Sequence, residues 1–290
     1  FSYAVVHQGA DGAVVITASH NPPEYSGVKF KSRIGGSAPI EFTGRVEERI
    51  RALRGAEGSD DLEPGTSNLE PATTNLEPRT LNLEPATISS FDARAPWLDR
   101  LEELVDLGRL GRAGLHVALD VMYGAGQGLL AGRLRRAGVE VRELHGEVNP
   151  VFGGLHPEPI PAYLGDLVAC MGGWSAEPRA GFAFDGDSDR LAPVDEDGRV
   201  ITPHETLALL LRHLTRNRGW RGPVVKSVNI GRMVEAEAAA LGLPVIVTPV
   251  GFKHIAEAML RHDALVGGEE SGGFAVRGHT PERDPGLISL

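Results

Sequence analysis

The chain has 290 residues, 41% of them hydrophobic and 23% charged, an ordinary globular composition with length for two or three domains. Its formal net charge of -10 comes without a Lys/Arg run, which argues against a nucleic-acid partner or an acidic membrane surface, since both need a basic face. Cys170 is the only cysteine and no stretch is apolar enough to span a membrane, so neither a disulfide framework, a cysteine-based zinc site nor a membrane anchor is expected. With no basic-then-apolar leader either, a cytoplasmic location is expected. Phe stands at position 1 and an apolar segment breaks off at Leu290, which gives the expectation of a sequence cut at both ends.

In chain order, the apolar run 13–16 reads as a buried strand that exits into Thr17-Ala18-Ser19-His20-Asn21-Pro22. A second short strand is predicted over 27–31. A helix follows from about Pro39, with Ile40, Val46, Ile50 and Leu53 at the spacing of one buried face. Leu-Glu-Pro then recurs every seven residues from Leu62 to Leu83. The prolines exclude a coiled coil, because each removes a helical hydrogen bond and clashes with the preceding turn. Residues 60–90 are therefore expected to be a disordered, low-complexity insertion without a functional role.

From Phe91 the pattern predicts a helix over 96–110, a strand over 116–122 and a glycine turn, Gly124-Ala-Gly126-Gln-Gly128, feeding a helix through Arg136. A strand over 139–144, a Pro/Gly-rich loop, a helix over 162–171 and a strand over 180–184 follow. That last strand runs into Asp185-Gly186-Asp187-Ser188-Asp189-Arg190, and 191–194 then pairs with 200–201. The remainder reads as a helix over 203–218, strands over 224–228, 245–248 and 264–266, and helices over 232–241 and 252–261, ending in Gly267-Gly-Glu269-Glu-Ser271-Gly-Gly273. Strand and helix alternate, so the fold class is α/β.

Asp185, Asp187 and Asp189 alternate, so in an extended backbone they point the same way. Three carboxylates this close repel one another unless a cation lies between them. Hard oxygen donors favour Mg²⁺ or Ca²⁺ over zinc, and Arg190 stands where a calcium-binding EF-hand loop needs its turn glycine. Ser19 could be a nucleophile, a phosphorylated residue or a plain turn-capping serine. The serine-hydrolase context Gly-x-Ser-x-Gly is missing, and His20 is too near in sequence for easy general-base geometry. The glycine turn departs from the dinucleotide fingerprint by one residue and reads as a tight strand-to-helix connection. His156 and His204 read as surface or capping residues.

Taken in order, these motifs resemble the α-D-phosphohexomutases, the family of phosphoglucomutase and phosphomannomutase. The Thr-Ala-Ser-His-Asn-Pro loop resembles the family's phosphoserine loop, and Asp185-Gly-Asp-x-Asp-Arg190 its metal loop. Gly268-Glu-Glu-Ser-Gly272 resembles its sugar-recognition loop, Gly251-Phe-Lys-His254 a further substrate loop, and Ser26-Gly-Val-Lys29 the segment with its active-site lysine. The resemblance implies tandem three-layer α/β/α domains with mixed sheets, and phosphoryl transfer between C1 and C6 of a glucose or mannose phosphate through a hexose 1,6-bisphosphate. It implies Mg²⁺ held by Asp185, Asp187, Asp189 and the phosphate on Ser19. Glu269 and Ser271 would hold sugar hydroxyls, with Gly251, Lys253 and His254 touching substrate. Lys29 and Arg190 would stabilise transferring charge, and the general base stays open between Lys29, His20 and a carboxylate.

The expected organisation is the later part of a first domain over 1–59, the insertion, a second domain over 91–199 and a third over 200–290. The family's fourth domain, with its phosphate-binding loop, is not matched, and neither is the arginine-bearing segment upstream of the serine. Slow or no turnover is therefore expected of these 290 residues. The sugar loop lacks the Gln associated with the phosphoglucosamine branch and the trailing His of dual-specificity enzymes, which favours a glucose or glucose/mannose phosphate. Two rivals are a non-catalytic sugar-phosphate- or Mg²⁺-binding fragment and a metal-dependent sugar phosphatase. The expected partners are small hexose phosphates, with no nucleic acid or membrane, and the sequence gives no oligomeric state.

Overall fold

The computed structural model describes residues 1–56 and 88–290, so most of the Leu-Glu-Pro segment lies outside the described residues. The chain divides into two units, Phe1–Pro39 with Ala93–Leu290, and Ile40–Asp92. The first unit opens with a short helix α1 (Ser2–His7), then strands β1 (Gly12–Thr17) and β2 (Gly27–Ser32), which pair as an antiparallel hairpin. Its register sets Val15 opposite Lys29 and Ile16 opposite Val28. Side chains alternate across a strand, so Ala13, Val15, Thr17, Lys29 and Lys31 share one face, and Val14, Ile16, Val28 and Phe30 share the other. Among the described residues the first face is the better covered: Val15 is buried, while on the second Val14 is 61% and Ile16 67% exposed. The expectation of a buried first strand is thus corrected: Val15 is buried, but Val14 and Ile16 on the other face are exposed.

The second unit holds helix α2 (Ile40–Ala56). The expected buried stripe is also corrected: Ile40, Ile50 and Leu53 are exposed and Val46 is only half-buried, and among the described residues of this unit there is no second element to pack against.

The rest of the first unit is two mixed sheets. One has the order β4-β3-β5-β6, built from β3 (His116–Asp120), β4 (Glu140–Leu144), β5 (Arg179–Phe184) and β6 (Leu191–Val194). Strands β3, β4 and β5 run parallel and β6 returns antiparallel. Helices α3 (Arg94–Leu104), α4 (Leu107–Arg112), α5 (Leu129–Arg136) and α6 (Gly165–Gly172) accompany it. The predicted 96–110 helix is two helices. Val105 is extended, and the Asp106 carboxylate accepts from the Arg109 amide to start α4. Apolar positions alternate into two cores, one holding Leu119, Leu130, Leu134 and Phe184, the other Met122, Leu167, Met171 and Trp174.

The other sheet has the order β10-β9-β7-β8, from β7 (Val224–Ser227), β8 (Val245–Thr248), β9 (Val266–Gly268) and β10 (Phe274–Val276). Helices α7 (Pro203–Arg212), α8 (Arg232–Ala240), α9 (Phe252–His262) and the short α10 (Pro285–Ile288) complete it. Helix α7 starts on a full capping box between Thr202 and Glu205 with proline at its first turn, and gives way at His213 to a wider π turn. The sequence reading missed β10, which pairs antiparallel with β9 across the Glu269–Gly273 turn.

Candidate active site

Strand β1 delivers Thr17 and Ser19 to the end of the hairpin. Ser19 sits at φ 57°, the left-handed region that few residues other than glycine adopt, and its amide donates to the Thr17 hydroxyl at 2.8 Å. Strand β5 delivers the carboxylate loop from the other side. The two loops touch through backbone: a Cβ on Gly186 would lie 2.5 Å from the Ser19 carbonyl oxygen, so only glycine permits this approach. Gly124 is equally constrained, its Cβ position falling 2.6 Å from the Gly186 carbonyl oxygen. The Ala125 amide donates to that same carbonyl at 2.9 Å. The glycine turn after β3 is thus the floor of the carboxylate loop.

Across 168 residues of sequence, the Ser19 hydroxyl donates to Asp187 Oδ1 at 3.4 Å. Thr17 donates to Asp187 Oδ2 at 3.0 Å. Lys29 Nζ reaches Asp187 Oδ2 at 2.8 Å, Asp189 Oδ2 at 3.4 Å and Ser19 Oγ at 3.4 Å. One ligand oxygen from each of Asp185, Asp187 and Asp189 lies within 4.8 Å of the others. Asp185 Oδ1 accepts the Asp189 and Arg190 amides, whereas among the described residues Asp185 Oδ2 and Asp189 Oδ1 are buried and make no hydrogen bond, with Arg190 Nε at 3.7 and 4.0 Å. Buried carboxylate oxygens that make no hydrogen bond are costly. Unused, all-oxygen lone pairs in this arrangement fit a hard divalent cation.

Electrostatics agree with the geometry. Burial, followed by the charges of Asp189 and Asp187, pushes the Asp185 carboxyl well above the usual range. Burial also works against ionised Asp187, but the Lys29 hydrogen bond and charge, with Thr17 and Arg283, outweigh it and hold that carboxyl below the usual range. For Lys29, burial is outweighed by Asp189 and Asp187, so its ammonium is held more firmly than usual. Burial and the Arg190 charge lower the His20 imidazole, leaving it inclined to the neutral form.

Arg190 turns its guanidinium to Glu158 at 3.2 Å, with Nε 3.7 Å from Asp185. The His20 ring stands 3.9 Å from Glu158 and 6.2 Å, centroid to centroid, from His156. His156 is half-buried and stacked on Tyr163, which corrects its expected surface role. His204 is a capping residue as expected, accepting from the Gly231 amide ahead of α8.

Glu269 and Ser271 face the same cluster. The Ser271 hydroxyl donates to Glu269 Oε1 at 2.8 Å, and Arg283 bridges Glu269 at 3.1 Å to Asp189 at 2.6 Å. Gly251 opens α9 at φ 118°, and Phe252 lies with its ring 5.5 Å from the Arg283 guanidinium. Among the described residues, no hydrogen bond or ion pair joins Lys253 or His254 to the carboxylates. Thr17, Glu158, Glu282 and Arg283 were not singled out from sequence. The available signal was the charged run Glu282-Arg-Asp284 enclosed by Pro281 and Pro285. A cavity of about 340 Å³, walled largely by α1, α3 and apolar side chains such as Trp97, Leu130 and Phe184, reaches Lys29, Asp187, Asp189 and Arg283 at one side.

Three domain models of one family match in order: phosphoglucomutase/phosphomannomutase alpha/beta/alpha domain I over residues 1–56, domain II over 95–198 and domain III over 202–290. The phosphoglucomutase/phosphomannomutase of Thermococcus kodakarensis is 30% identical over 287 residues, covering 99% of this chain and 58% of its own length. Other curated relatives at 29% and 32% identity are named phosphoglucosamine mutase or probable phosphoglucosamine mutase. A solved structure from Thermus thermophilus superposes with a TM-score of 0.80 at 36% identity, covering 100% of this chain and 60% of its own. An N-acetylphosphoglucosamine mutase of Aspergillus fumigatus, solved with GlcNAc-6P and magnesium, shares the fold at 18% identity and a TM-score of 0.58, over 94% of this chain and 64% of its own. The chain thus spans little more than half the length of the curated relatives it matches.

Proposed function

Because the chain belongs to the phosphoglucomutase/phosphomannomutase family, we propose that it moves a phosphoryl group between Ser19 and the C1 and C6 oxygens of a hexose phosphate. The observation that carries this reading is the Ser19 hydroxyl at one corner of the Asp185–Asp187–Asp189 cluster, with Lys29 spanning both. The residues fit Mg²⁺: Asp185, Asp187 and Asp189 would hold it together with the phosphate on Ser19, and the two buried carboxylate oxygens that make no hydrogen bond are the chain's own argument for it. When bound, the cation neutralises the carboxylates and withdraws charge from the bridging oxygen of Ser19.

The chain's own groups do the rest. Lys29 lies within reach of Ser19 Oγ and carries a firmly held proton, so it stabilises charge on the transferring group. Arg190, fixed by Glu158, lies at the same edge. Neutral His20 is the group best able to take the sugar hydroxyl proton. Glu269 and Ser271 would accept and donate to sugar hydroxyls, while Gly251, Lys253 and His254 would line the substrate's path. A hexose 1,6-bisphosphate would form on transfer, then turn so that its other phosphate returns to Ser19. The domain boundaries 1–59, 91–199 and 200–290 follow the same reading, as does a glucose or mannose phosphate substrate in the absence of the phosphoglucosamine-branch Gln.

Intact mass and phosphosite mapping test the reading. Incubation with Mg²⁺ and glucose 1,6-bisphosphate should add one phosphoryl group to the parent chain and none to Ser19→Ala. Inorganic phosphate released from hexose phosphates with no transfer between sugars would replace this reading with a phosphatase. Sugar-phosphate binding equal in both proteins, without modification of either, would replace it with a binding fragment.

A further inference from the structure

Strand β2 presents two lysines on one face. Lys29 goes to the carboxylate loop, and Lys31, two residues on, goes to Glu282 at 2.6 Å. The pair is dry: the Lys31 side chain is 10% and that of Glu282 3% exposed. The same carboxylate oxygen accepts from the Ser37 hydroxyl at 3.0 Å. Lys31 and Ser37 face each other across the Ser32–Gly36 turn, which closes through Ser32 N to Gly36 O at 2.8 Å. Glu282 therefore grips the strand and its return at once.

The residue next to Glu282 is Arg283, bound to Asp189 of the carboxylate loop and Glu269 of the sugar-loop turn. The arm is pinned a residue later, where Asp284 accepts from Trp97 Nε1 at 2.7 Å, pairs with His279 at 2.9 Å and caps α10. Two consecutive side chains on a fixed arm thus tie together the hairpin, the carboxylate loop and the sugar loop. We infer that Glu282 is a positioning residue: through Lys31 and Ser37 it sets the register of β2 that places Lys29 Nζ between Ser19 and Asp187. The inference rests on the reading of Ser19 as the phosphoryl carrier, and extends it to a residue that touches neither substrate nor cation.

Breaking a buried pair by removing one partner strands the other charge, while replacing both with uncharged groups of similar volume is tolerated far better. The test therefore uses Lys31→Met with Glu282→Gln as a double variant, beside each single. With Mg²⁺ and glucose 1,6-bisphosphate, phosphorylation of Ser19 in the double variant should slow by roughly 10- to 100-fold, as small misplacements of a reacting group do. The Kd for Mg²⁺ should stay within about threefold, because no proposed ligand is altered. Amide hydrogen exchange over 27–37 should accelerate while that of β3 and β5 does not. The single variants should lose no less than the double, since they break one link. A folded double variant that phosphorylates at the parental rate, or losses in the singles that multiply in the double, overturns the inference. If the parent takes no phosphoryl group, the catalytic reading fails, and the exchange of 27–37 alone decides whether Glu282 sets the strand: unchanged exchange overturns it.

Discussion

Asp185 shows how one residue couples metal and stability. Its carboxyl is fully buried and, without a cation, burial and two neighbouring carboxylates raise its pKa well above the usual 3.8. An acid with a raised folded-state pKa keeps a proton that the unfolded chain releases. As pH rises from the unfolded value through the folded one, stability is lost, not gained. Metal-free protein should therefore become easier to denature as the pH rises above about 4 through this group, and saturating Mg²⁺ should remove that loss and add its own binding free energy. Urea melts across pH with EDTA or Mg²⁺ measure this. In Asp185→Asn both the pH-dependent loss and most of the Mg²⁺ effect should vanish. A Mg²⁺ stabilisation equal to that of the parent would show that the ion binds elsewhere. The alternating carboxylates announced themselves in the sequence, but a turn brings them together rather than the extended backbone expected: the Ser188 amide donates to the Asp185 carbonyl at 3.0 Å and Ser188 sits at φ 56°. Arg283 did not, because its partners Asp189 and Glu269 are 94 and 14 residues away and no local pattern records such a meeting.

Among elements, the strands were the legible part. Strand-fed loops carry the serine and the carboxylates, and short apolar runs bounded by Gly and Pro locate strands well. What remained hidden depends on neighbours. Val14 and Ile16 look like core in sequence but lie on the less covered face of the hairpin, and the 96–110 helix breaks because Asp106 prefers to cap. The glycine turn after β3 is the strand-to-helix connection expected, but its packing role was hidden. Gly124 and Gly186 are not turn punctuation alone but the two places where three backbones meet within contact distance. Gly186→Ala should force the Ser19 carbonyl away, since a contact of 2.5 Å is impossible. Overpacking of this kind costs about 1–3 kcal/mol. The larger effect should be on function, with phosphorylation of Ser19 slowed by roughly 100-fold for a displacement near 1 Å. Thermal melting and intact-mass time courses measure the two separately. Parental phosphorylation rates in a folded Gly186→Ala protein would show that the loops need not touch.

At the scale of the molecule, charge decides how far the reaction can run on these residues. The site gathers six carboxylates, Glu158, Asp185, Asp187, Asp189, Glu269 and Glu282, with four cations, Lys29, Lys31, Arg190 and Arg283, each already paired to a carboxylate. One divalent cation balances the remaining two negative charges, and a phosphoryl group on Ser19 adds roughly 1.5–2 more. A bisphosphate brings as much again at its far end, and none of these four cations is free to meet it. A charge-assisted hydrogen bond to such a group contributes about 1.5–3 kcal/mol, which corresponds to roughly 10- to 100-fold in rate. The half-reaction should therefore outpace the whole. In single turnover, the 290-residue protein should pass its phosphoryl group from Ser19 to glucose 6-phosphate. Its steady interconversion of glucose 1-phosphate and glucose 6-phosphate should be slower by about that factor or more, because the bisphosphate escapes before it can turn. Escape leaves a trace: free glucose 1,6-bisphosphate should accumulate in the medium in proportion to protein, and adding it in excess should raise the steady rate. Steady turnover as fast as single turnover, with no bisphosphate released, would mean that the site as described already grips both ends of its substrate.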